Sequence, residues 1–180
     1  MPKVQWSHEQ EPVIFAGSPG RATVKRSRMD WLKFVNLVVT GLLACFEFGA
    51  FALSFPNLRR MPPLELVDAT QGLVKASGGI VPILSSANLV LMGIYALRIK
   101  HAGLANASAW ASVFCLSVAL VVSVWLIIPA HRNIIAWDAQ NPPTDWKSTW
   151  RQWEWAQGAR GLFLLLGFIL FCLSVSALRQ

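Results

Sequence analysis

Charge is scarce in this sequence. Only 14% of its 180 residues are Asp, Glu, Lys or Arg, against roughly 25% in an ordinary soluble domain. With 54% of the chain hydrophobic, a soluble core of this size cannot hide the apolar surface, whereas a bilayer can absorb it. Cysteine is sparse too. Cys45, Cys115 and Cys172 lie far apart inside apolar runs, which excludes a disulfide framework and leaves them as small packing residues. The three histidines, His8, His101 and His131, fall in separate segments, so a two-histidine-one-carboxylate iron site or a bis-histidine haem finds no support. A Gly-x-Gly-x-x-Gly fingerprint, a phosphate-cradling glycine loop and a Ser-His-Asp order are all missing. No cofactor is predicted, and haem, flavin or pigment stays open.

What the chain has instead is apolar length. Four runs approach the ~20 helical residues that cross a bilayer: about 34–55, 76–97, 110–128 and 161–178. Pro56 and Pro129 read as the stops of the first and third. Backbone groups in lipid must be satisfied within their own segment, so the runs are helices. The predicted fold class is an all-α membrane protein, a four-transmembrane-helix bundle over residues 31–180 with a capping outer-face loop region. Residues 1–30 read as an irregular basic arm.

Cations set the orientation. Nine fall on the side of the two termini (Lys3, Arg21, Lys25, Arg26, Arg28, Lys33, Arg98, Lys100 and Arg179) and seven on the other, which places both termini in the cytoplasm. Lys25-Arg26-Ser27-Arg28, just before a span, suits anionic lipid headgroups rather than nucleic acid. The lipid bilayer is thus the expected partner, with other membrane subunits as a further one.

The two outer loops carry the specific residues. In the first, Arg59-Arg60-Met61-Pro62-Pro63 precedes a short helix whose early acids, Glu65 and Asp68, complement the helix dipole. The second holds His131 and Asn133, then the turn Asn141-Pro142-Pro143-Thr144-Asp145. Thr144 or Asp145 is the expected N-cap of a helix running unbroken into the last span. Five of nine tryptophans lie between positions 137 and 155; they read as an interfacial belt or as an aromatic wall for a flat ligand. Trp150, Glu154, Gln157 and Gly161 share one helix face, with Arg160 beside it. Glu154 is expected to pair with Arg160, with Arg132 or with water. Gly158, Gly161 and Gly167 suit close helix approach. Inside the first span, Glu47 is either a protonated structural hydrogen-bonder or a carboxylate facing a pocket beneath the loops.

Phe55-Pro56, Leu58-Arg59-Arg60-Met61-Pro62-Pro63 and Ala69-Thr70-Gln71 resemble the first outer loop of the DUF1772 family. Ile128-Pro129, Asn133, Trp137-Asp138, Pro142-Pro143-Thr144-Asp145-Trp146, Trp153 and Arg160 are similar to that family's second half. The resemblance covers about residues 34–178. It implies a small four-helix membrane protein of the anthrone oxygenase-like kind, whose characterised members oxidise an anthrone to an anthraquinone. The chain departs from the pattern at Val74, His131 and Gln157, where the family commonly has Asn, Asn, and Asn or His.

Two functions follow as expectations. In one, a small aromatic or apolar molecule is bound or oxidised at the outer face. The site is lined by Glu47, Arg59, Gln71, His131, Asn133, Trp153, Glu154, Gln157 and Arg160. His131 would abstract a proton without a cofactor, while Asn133, Gln157 or Arg160 steadies the oxyanion. In the other, the chain is a non-catalytic accessory subunit of a larger membrane complex, binding lipid or pigment.

Overall fold

The structure, a computed structural model, describes residues 20–99 and 103–178, with side chains from residue 31 onward. Residues 1–19 of the basic arm, together with His8 and His101, lie outside the described residues. In chain order the helices are α1 (Gly20–Gly49), α2 (Phe55–Leu58), α3 (Pro63–Ser77), α4 (Ile80–Arg98), α5 (Leu104–Val122), α6 (Ile128–Ile135) and α7 (Trp146–Ala177). Among the described residues, four continuous segments are long and apolar enough to cross a bilayer: Trp31–Leu58, Ile80–Arg98, Leu104–Ile135 and Trp146–Ala177. The protein is therefore a multi-pass membrane protein built as a four-helix bundle. α7 packs against α1 and α5, and α4 closes the ring by packing against the same two.

Neither proline stops its span. A wide π-turn at Ala50–Ser54 precedes Pro56, and another at Ser123–Ile127 precedes Pro129. Proline lacks an N–H and its ring collides with the carbonyl four residues back. Widening the turn just before it removes that collision and lets the helix continue. The register change is visible in Phe55 N–H bonding to Ala50 O and Ile128 N–H to Ser123 O. The first and third spans therefore end at Leu58 and Ile135, beyond the expected 55 and 128.

Other boundaries shift for similar local reasons. α1 is already helical at Gly20, inside the segment read as an irregular arm. α4 starts at Ile80 rather than 76, because Gly78-Gly79 separates it from α3; adjacent glycines each disfavour helix by about 1 kcal/mol. α5 is entered through Gly103 at φ 141°, a backbone conformation that side-chain-bearing residues rarely adopt. α7 runs without a break from Trp146, with Asp145 at its N-cap position.

Two apolar cores stack along the bundle. One joins α1, α4, α5 and α7 through residues such as Ala44, Met92, Tyr95, Leu116, Leu164 and Phe171. It is threaded by polar links between helices. Thr40 Oγ1 donates to Asn88 Oδ1 at 3.0 Å, Ser112 Oγ to Gly167 O at 2.8 Å, and Ser174 Oγ to Ala105 O at 2.7 Å. The second core fills the capped end, where Phe55, Leu66, Ile134, Trp150 and Trp153 meet.

Candidate functional site

At the capped end, α3, α6 and the start of α7 close over the bundle. Gln71 on α3 ties the two loops together, its Nε2 donating to Ile134 O and Trp137 O, both at 2.9 Å. Trp150 Nε1 donates to Thr70 Oγ1 at 3.0 Å, while Thr70 Oγ1 donates to Leu66 O at 2.7 Å. Trp150 and Trp153 are buried, whereas Trp155 is exposed; Trp137 meets Trp146 edge to face. The tryptophan cluster is thus divided between the core of the cap and its outer surface.

The acids find partners across the bundle. Arg160 Nη2 on α7 donates to Glu47 Oε2 on α1, and both side chains are buried. Glu154 is held by Arg59 Nε at 2.6 Å, with Glu154 buried and Arg59 half exposed. Glu154 therefore pairs with neither Arg160 nor Arg132. Residues six apart stand about one and two-thirds turns apart on a helix, pointing in different directions. Gly161 sets the first pair. A Cβ there would lie 3.2 Å from Phe48 N and 3.3 Å from Glu47 O, so the bare glycine lets α7 approach the α1 backbone where Glu47 emerges.

Beneath the cap lies a cavity of about 580 Å³ between α1, α3, α4 and α7. Its wall is mostly aliphatic, with Phe46 and Phe55, and its polar groups are Glu47, Ser77, Trp153, Gln157 and Arg160. Of the residues expected at a site, Glu47, Trp153, Gln157 and Arg160 share this cavity. Arg59 and Glu154 form the second ion pair, and Gln71 clasps the loops. Asn133 is exposed on α6. His131 packs on Trp153, ring centroids 6.0 Å apart, and is absent from the cavity wall. Its Nε2 is buried without a hydrogen-bond partner among the described residues. Among those residues no three His, Cys, Asp or Glu side chains are grouped to hold a metal ion. The cysteines are free, with Cys115 buried.

Sequence reasoning missed the aliphatic wall from α3 and α4, including Leu73, Ala76, Ile80 and Leu84. The signal was present as the apolar stretch flanking Gly78-Gly79, but it reads equally well as lipid-facing surface. No family model matches the chain, and no curated protein or solved structure matches it significantly.

Proposed function

We propose that the protein binds a small aromatic or apolar molecule within the membrane, as the resemblance to the anthrone oxygenase-like proteins implies. The observation that supports this most is the apolar cavity with four buried polar side chains gathered on one wall. Its volume falls within the range of about 300–1,000 Å³ usual for small-molecule sites. Phe46, Phe55 and Trp153 add aromatic side chains to its lining, suited to a flat ligand. With both termini cytoplasmic, as the cation bias supports, the cap faces outward.

If an anthrone is turned over, Glu47 is better placed than His131 to accept its methylene proton, because Glu47 lines the cavity. Arg160 would steady the resulting oxyanion. Dioxygen would then take the electrons, converting anthrone and O₂ into anthraquinone and water.

The test is extraction in mild detergent, followed by titration with an anthrone while anthraquinone absorbance and tryptophan fluorescence are recorded. Binding with turnover that Glu47→Gln abolishes supports an oxygenase, and binding alone supports a binding protein. Failure to bind, with co-extraction in a large assembly, overturns the proposal in favour of an accessory subunit.

A further inference from the structure

Four polar residues on the cavity wall each carry one buried atom without a hydrogen-bond partner among the described residues: Glu47 Oε1, Gln157 Oε1, Trp153 Nε1 and Arg160 Nε. All four side chains are more than nine-tenths buried. An unpartnered buried group costs ~1–3 kcal/mol. Clustered on one cavity wall, the four offer partners to a polar group from outside the chain once the side chains covering them shift aside.

Their chemistry restricts that group. Two atoms are acceptors and two belong to N–H donors. A quinone carbonyl or an ether accepts only, and would leave the carboxylate and amide oxygens bare. A charged headgroup would lose its hydration on entering an apolar cavity whose Glu47–Arg160 pair carries no net charge. A neutral hydroxyl donates one hydrogen bond and accepts two, and so can serve both kinds of atom.

Part of the cavity's lining is exposed at the bundle surface. Leu42 and Phe46 on α1 and Ile80 on α4 line the cavity, yet are 67%, 57% and 63% exposed. These residues lie on membrane-spanning segments, so the medium they face is lipid. The cavity opens sideways between α1 and α4.

We infer that the site takes a neutral hydroxylated amphiphile, a phenol or hydroquinone with a hydrocarbon tail, directly from the bilayer. Its hydroxyl meets the Glu47–Arg160 wall and its tail leaves between α1 and α4. This rests on the binding proposed above and names the ligand class.

The full chain in lipid nanodiscs would be titrated with 4-dodecylphenol, its methyl ether and dodecanoate. The phenol is expected to bind at least tenfold more tightly than either. Gln157→Leu should bring the phenol close to the affinity of the ether, and Ile80→Trp at the exposed rim of α4 should weaken both. Equal affinity of phenol and ether, or no effect of Gln157→Leu, overturns the hydroxyl assignment while leaving the binding reading intact. Unchanged affinity and on-rate in Ile80→Trp overturns the lateral route. If none of the three compounds binds the wild type but an anthrone does, the tailed-amphiphile inference fails alone. If nothing binds, both readings fail.

Discussion

Arg160 on α7 hydrogen-bonds through Nη2 to Oε2 of Glu47 on α1, 113 residues away in the chain, and both side chains are buried. This pair joins two spans at membrane depth and forms part of the cavity wall. Charges so placed are rare in membranes and tend to mark functional surfaces.

Breaking the pair on one side only should be costly. Arg160→Met leaves a buried carboxylate alone, and a loss of roughly 3–5 kcal/mol is expected. The double variant Glu47→Leu/Arg160→Met should recover most of that loss, because neither charge then remains. Unfolding of the three proteins in mixed detergent micelles checks the pattern. A double variant as unstable as the single one would contradict it.

Gly161 should tolerate no side chain. Gly161→Ala puts a Cβ within 3.3 Å of the Glu47 and Phe48 backbone, and backbone cannot swing aside as a side chain can. About 1–3 kcal/mol of destabilisation is expected. Gly49→Ala, with nothing within 4 Å of the new atom, should be neutral or mildly stabilising. Thermal unfolding of both variants provides the comparison.

Arg59 and Arg60 are neighbours with different expected effects. Arg59→Ala strands the buried Glu154 carboxylate, whereas Arg60 is exposed. Arg59→Ala should lower the unfolding temperature clearly and Arg60→Ala hardly at all. Arg59→Ala/Glu154→Gln should regain much of the difference, since the charge left unpaired is gone.

Gln71→Leu removes two hydrogen bonds to the 134–137 segment. At about 0.5–1.5 kcal/mol net for each bond, the cap should loosen while the bundle stays folded. Hydrogen exchange should rise at residues 136–145 and stay unchanged in the middle of α5. Uniform exchange across both regions would show that Gln71 does not act as a clasp.

The parts of the fold visible in the sequence are those governed by local rules. Hydropathy placed four spans, the Pro-Pro-Thr-Asp turn placed the start of α7, and Glu65 and Asp68 marked a helix at α3. What escaped were effects of context. Pro56 and Pro129 read as stops because proline cannot continue an ordinary α-helix, but a π-turn ahead of each removes the clash. The ion pairs escaped because Glu47 meets Arg160 and Arg59 meets Glu154 over separations of 113 and 95 residues. Helical phase alone does reject Glu154–Arg160, but choosing the true partners requires the helix arrangement. Asn133 shows the opposite failure: its loop suggested a site, while the turn of α6 leaves it on the outside.

The most direct test of the central claim is to locate a ligand on the chain. A phenol bearing a photoreactive tail would be incorporated with the protein in nanodiscs, irradiated, and the labelled peptides mapped by mass spectrometry. Label concentrated in residues 39–50, 73–84 and 153–160, and displaced by excess unlabelled phenol, is the result expected of a ligand seated beneath the cap. Label spread evenly over the lipid-facing surfaces of all four spans, undiminished by competitor, would contradict a binding site in this cavity.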